Sequence, residues 1–222
     1  MVNAAPGRAA VKLRPADARA AARAAHLLRR GGVIIYPTET VYGLGALPEQ
    51  AGAVERIAAL KGSGEEARFL LLIRDLDDLE RWASPVCEAA GILARAFWPG
   101  PLTLILPARP DLHPRLVGPG GGVGLRVSPH PWCRQLLKRL DTAVVSTSAN
   151  FTGRPAPQSL IELDDRLAGA ADLVVDGGLL AGEPSTVLDV TGDKPRVVRA
   201  GAVGVEAIEE VIGAVEKAAI LE

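Results

Sequence analysis

The stretch GGVIIYPTETVYGLGA, residues 31–46, decides how the rest of the chain is read. Val33 to Tyr36 form an apolar run that ends at Pro37, the pattern of a short buried strand. Thr38, Glu39, Thr40 and Tyr42 follow, then Gly43 and Gly45. A strand that gives way at once to hydroxyls, a carboxylate and flexible backbone is the arrangement to be explained. Upstream, Ala16–Arg30 is rich in Ala, Leu and Arg and stops at Gly31-Gly32, a helix with a glycine terminator.

Outward from this stretch, strands and helices interleave. Glu49–Leu60 carries Val54, Ile57, Ala58 and Leu60 near one face, a helix ended by Gly62. Phe69–Ile73 is continuously apolar, a strand buried on both faces. Leu76–Ala83 and Pro85–Phe97 read as helices. Leu102–Leu106 and Val123–Val127 read as strands, Pro131–Leu140 as a helix and Ala143–Ser146 as a strand. Leu160–Leu167 is a helix; Leu173–Val175, Thr186–Val190 and Arg196–Arg199 are strands, and Val205–Ala218 closes the chain as a helix. The class is α/β in a single domain. Neighbouring strands late in the chain lack a helix between them, so the sheet is expected to be mixed. Residues 1–10 are expected to be a flexible tail before a domain spanning 11–222.

The chain has 222 residues, 48% hydrophobic and 4% aromatic, with a formal net charge of −1. That charge excludes a global basic field; nucleic-acid binding would need a local patch. No apolar run reaches the roughly 18 residues of a membrane span, and the N-terminus lacks a signal-like stretch. Cys87 and Cys133 form no zinc pattern and fit a reducing cytoplasm.

Gly118–Gly124 lacks the Lys-Ser/Thr ending of a phosphate loop and precedes a strand, so it reads as a turn. Arg126, inside the strand VGLRV, either faces solvent or lines a cleft. Val144–Pro157 runs from an apolar strand into Ser146, Thr147, Ser148 and Asn150, small polar groups that either converge on an anion or cap and turn the backbone. Ser185, Thr186, Asp189, Arg196 and Arg199 follow later. Two arginines at i and i+3 on a strand point to opposite faces, so without a bulge only one reaches a shared cleft; Arg199, near the strand end, is the choice. Lys61 complements the C-terminus of its helix. The histidines suggest neither a metal site nor a triad.

In order, GGVIIYPTETVYGLGA, RIAALKG, FLLLI, FWPGPLTLIL, VGLRVSPHP, STSANFTGRPAP, VVDGG, STVLDVT and RVVRAGAV resemble the YrdC/Sua5 family, the threonylcarbamoyl-AMP synthases, in its short single-domain form. The resemblance spans roughly residues 12–205. It implies a YrdC-like fold: one α/β domain with a twisted mixed sheet and flanking helices. It implies that L-threonine, bicarbonate and ATP give threonylcarbamoyl-adenylate for the t6A modification of tRNA, with Mg²⁺ accompanying ATP. Thr38, Arg126, Ser146 and Ser185 would hold threonine. Ser148, Asn150, Arg68 and Arg199 would contact the nucleotide, and Lys61 would act catalytically near the phosphates. The opening strand would then place Thr38 and bare loop backbone at a sheet end where substrate docks. Implied partners are the t6A transferase machinery and tRNA or double-stranded RNA, with no membrane and a cytoplasmic location.

The sequence departs from the family where Lys-x-Arg is usual. Ser63 stands at the arginine position, Ala67-Arg68 at a later lysine-proline, Glu65 and Glu66 lie between, and Ala200 replaces a proline. Either Arg68 supplies the missing charge, or the chain is a degenerate member that binds nucleotide, threonine or double-stranded RNA with little synthase activity.

Overall fold

The computed structural model describes residues 11–13, 19–62, 64 and 68–217. The expected tail at 1–10, and Ser63, Glu65, Glu66 and Ala67, lie outside the described residues.

The first strand and helix are β1 (Val11–Leu13) and α1 (Ala20–Arg29). They are followed by β2 (Ile34–Pro37), β3 (Tyr42–Ala46), α2 (Ala51–Lys61) and β4 (Leu70–Leu72). The middle of the chain gives α3 (Leu79–Trp82), α4 (Glu88–Phe97), β5 (Leu102–Pro107), β6 (Gly122–Arg126), α5 (Pro131–Leu137) and β7 (Val144–Ser148). The remainder is α6 (Asp165–Ala170), β8 (Leu173–Val175), β9 (Thr186–Asp189), β10 (Arg196–Arg199), α7 (Val205–Ile212) and β11 (Glu216–Lys217). All strands join one mixed sheet in the order β1-β8-β2-β3-β7-β4-β6-β5-β9-β10-β11.

Side chains alternate across a strand, so each strand serves both faces of this sheet. One parity, including Ile35, Leu44, Leu71, Leu104, Leu125, Val145 and Leu188, packs against α2, α4 and α7 through Val54, Ile57, Leu93 and Ile208. On the opposite face Ile34, Tyr36, Leu72, Val144, Leu173 and Val175 meet α1 and α5 through Ala24, Leu28, Trp132 and Leu136. That second cover does not extend to β5, β6 and β9, where the same parity is Thr103, Ile105, Gly124, Arg126, Val187 and Asp189 and lines an open cavity.

Three local expectations change and a fourth holds. Tyr42–Ala46 is a strand antiparallel to β2, not loop. Its glycines are set by the Tyr36 ring: a Cβ at Gly45 would lie 2.6 Å from that ring and one at Gly43 3.3 Å. The helix expected at 160–167 begins only after Asp164, whose carboxylate accepts the Arg166 backbone N–H at 2.9 Å as a cap. The last helix stops at Ile212, where Gly213 adopts φ 82°. Glu216 and Lys217 then run parallel to β10. The glycine-rich stretch is a turn, closed by Gly121 N–H donating to Gly118 O at 2.9 Å.

Candidate active site

The uncovered part of the sheet floors a cavity of about 690 Å³, within the usual range for small-molecule sites. Thr38, Arg68, Arg126, Ser146, Ser148, Asn150, Ser185 and Arg199 all line it. They come from segments far apart in the chain, brought together because β3, β7, β4, β6, β5 and β9 are neighbours in the sheet.

Thr38 is 2% exposed and organises the β2–β3 turn. Its hydroxyl donates to Val41 O at 2.7 Å and accepts the Thr40 and Val41 N–H groups. Ser146 Oγ accepts the Tyr36 hydroxyl at 2.7 Å. Burial raises the Tyr36 pKa far above its ordinary value, so the phenol stays a donor and leaves the serine proton for another acceptor. Ser185 Oγ lies 2.9 Å from Thr103 Oγ1 and accepts from Arg199 at 3.2 Å. The Arg199 guanidinium also donates to Ser185 O at 2.8 and 3.2 Å.

Arg126 is 4% exposed and lines the cavity rather than facing solvent. Burial, and then the nearby Arg126 charge, lower the Arg199 pKa. The two guanidinium groups therefore share one electrostatic environment, an arrangement suited to an anionic ligand.

Lys61 differs from the other predicted site residues. It is buried and absent from the cavity wall. Its ammonium donates to Ser148 O at 2.8 Å, Asn150 O at 2.9 Å and Asn150 Oδ1 at 3.4 Å. Burial pushes its pKa down to about 8, while three oxygen acceptors favour the charged form. Lys61 thus ties down the loop after β7 from behind.

Sequence reasoning missed Arg154 and Arg196, both in the lining. Arg154 sits in the STSANFTGRPAP segment already singled out, so its type and place were a usable signal. Arg196 was set aside by strand parity, but the β9–β10 register shifts between Val197 and Arg199. Val197 points into the core while Val198 and Arg199 both reach the cavity, as a bulge permits. Among the described residues, five arginines therefore line the cavity against one carboxylate, Asp189. Burial works against charge at Asp189, but hydrogen bonds from Thr191 and Arg196 outweigh it and hold its pKa low.

A family model described as "Telomere recombination" (Sua5/YciO/YrdC) matches residues 26–201. The chain belongs to the Sua5/YciO/YrdC family. It is 40% identical over 198 residues to the threonylcarbamoyl-AMP synthase of Bacillus subtilis strain 168, covering 86% of this chain and 56% of that protein. Sua5 of Pyrococcus abyssi, solved in complex with L-threonine, matches with a TM-score of 0.88 at 33% identity, over 94% of this chain and 62% of the other. Escherichia coli YciO matches with a TM-score of 0.80 at 34% identity, over 89% of this chain and 97% of its own. The chain thus spans little more than half the length of the Bacillus relative. No helix among the described residues is long and apolar enough to cross a membrane.

Proposed function

We propose that this chain makes L-threonylcarbamoyl-adenylate from L-threonine, bicarbonate and ATP, releasing pyrophosphate and water, for t6A modification of tRNA in the cytoplasm. The observation that carries the reading is the convergence of five arginines with the hydroxyls of Ser146, Ser148 and Ser185 and the amide of Asn150 around one cavity. Identity to synthases over most of the chain supports it.

The chemistry needs two bond-forming steps. The threonine nitrogen joins the bicarbonate carbon, with loss of water, and a carbamate oxygen then attacks the α-phosphorus of ATP as the bond to pyrophosphate breaks. Neither step needs a covalent enzyme intermediate, so the protein contributes positioning and charge neutralisation. Arg126 suits the threonine carboxylate, through paired N–H donors, with Ser146 donating beside it. Thr38 would shape this end of the cavity through the turn it closes, and Ser185, which accepts from Arg199, would help hold threonine. Arg199, Arg154, Arg68, Ser148 and Asn150 would hold the nucleotide, and Arg154 would add a cavity-lining cation to a sequence that has serine at position 63. Lys61 would serve the phosphates indirectly, by holding the loop that carries Ser148 and Asn150. Mg²⁺ would enter with the nucleotide as part of the substrate.

One further observation favours the binding reading as a second possibility. Arg23, Arg29, Arg30, Arg134, Lys138 and Arg139 lie on or just after α1 and α5, and neither helix carries an acid. None of the six forms an ion pair among the described residues. This unneutralised face suits a polyanion such as double-stranded RNA. One assay separates the readings. Purified chain is given threonine, bicarbonate and Mg·ATP, and pyrophosphate release is expected only with all three present. No release, with nucleotide or RNA binding retained, would favour the second reading.

A further inference from the structure

Glu39 sits in the turn between β2 and β3 and does not line the cavity. Its side chain is 14% exposed, which leaves a carboxylate dependent on the protein for partners. Oε2 accepts the hydroxyl of Ser128, a fully buried residue whose oxygen also accepts the His130 N–H at 3.2 Å. Oε1 faces Arg126 Nε at 3.5 Å. Both of these facing atoms are cut off from solvent and neither has a hydrogen-bond partner. The separation is that of a charge contact, just beyond hydrogen-bond length. Ser128 and the turn fix the carboxylate, so Glu39 is an anchored anion behind a buried cation. Arg199, on the cavity side, repels that same cation. An anion at the rear offsets the cost of two guanidinium groups in one enclosure.

We infer that Glu39 is a positioning residue for amino-acid recognition: it holds the Arg126 guanidinium from behind through Nε, so that its terminal nitrogens are presented to the ligand's carboxylate. The inference rests on the synthase reading and names the group that sets the affinity for the amino acid. Glu39 acts through Arg126 and touches no substrate.

Glu39→Gln keeps the shape and removes the charge. The threonine KM is expected to rise about tenfold or more, the lower end of the scale for one close buried charge pair. The ATP KM, and kcat at saturating threonine, should stay within about twofold, because the adenylate end is untouched. In an Arg126→Lys background, which has no Nε–H, Glu39→Gln should add less than about twofold. An unchanged threonine KM, a fall in kcat alone, or an equal effect in both backgrounds overturns the inference.

A second readout needs no turnover. The ¹⁵N resonance of Arg126 Nε–H, recorded without substrates, should shift in Glu39→Gln. If the resonance moves while the wild-type chain makes no threonylcarbamoyl-adenylate, the positioning stands and the synthase reading fails. If the resonance does not move, the positioning fails whatever the activity.

Discussion

One face of the sheet is two regions, and β7 crosses the boundary between them. Val144 lies under α1 and α5, while Ser146 and Ser148, two and four residues further along the same side, open into the cavity. β4 makes the same crossing, with Leu72 in the helix-covered cluster and Leu70 in the cavity wall. The alternation is unbroken; on β7 the chemistry of the outward residue changes, while on β4 it stays leucine and Leu70 packs against the covered cluster as it borders the cavity. Where it is Val, Leu or Ile, burial under a helix is favourable, at roughly 25 cal/mol for each Å² of apolar surface removed from water. Where it is Ser, Gly, Thr or Arg, a covering helix would gain little area and would strand polar groups. The site is therefore the part of the face where polar and small residues interrupt the apolar set, with Leu70, Ile105 and Val187 left as its apolar wall.

Substitutions on either side of the boundary should separate function from stability. The largest effect is expected from Arg126→Ala on the bare side. It should lower kcat/KM for threonine by roughly 10²–10³-fold, the usual scale for removing a preorganised charged donor, as read by pyrophosphate release. Leu136→Ala, on the covered side, should cost about 3 kcal/mol of stability through the cavity it leaves. Its urea midpoint should fall while the threonine KM stays within about twofold. A large KM change in Leu136→Ala would erase the distinction between the two regions.

The smallest effect concerns Lys61, the buried cation beneath the loop. Its folded pKa, about 8, lies below the ordinary lysine value of 10.5. Between those two pH values the unfolded chain holds more protons than the folded one, so this group makes stability rise with pH across that window. The Cys133 thiol, pushed up by burial to about 12, acts in the opposite sense above its ordinary value. The measurable quantity is therefore the wild-type melting curve minus that of Lys61→Gln. The difference should grow more favourable to wild type from pH 8 to pH 10; a flat difference would mean that Lys61 titrates as an exposed lysine does.

Much of this was legible in the residues, for identifiable reasons. The apolar runs at 33–36, 69–73, 102–106 and 173–175 marked strands because both of their faces are used. β3 was missed because glycine normally weakens a strand, and the Tyr36 ring across Gly43 and Gly45, with β7 atoms on the other side, makes glycine the residue that fits. Most site residues could be named from the family resemblance, and the structure brings eight of them to one wall. The direction of Lys61 could not be read, since a lysine at a helix end has a long stem and many reachable oxygens. Glu39 stood in the opening stretch, yet its partners Arg126 and Ser128 are distant in sequence and meet it only through sheet order.

The bulge in β10 gives the cavity an unusual kind of adjustability. Because the bulge between Val197 and Arg199 keeps a second arginine inward, the enclosure's positive charge depends on how many residues the strand contains as well as on which ones. Deleting Val198 would leave Arg199 directly after Val197, opposite Val187 and still on the cavity side, whereas inserting one more residue there would rotate it toward the apolar layer. Evolution can thus retune this site's appetite for anions by the length of a strand, a coordinate that comparisons of residue identity do not register.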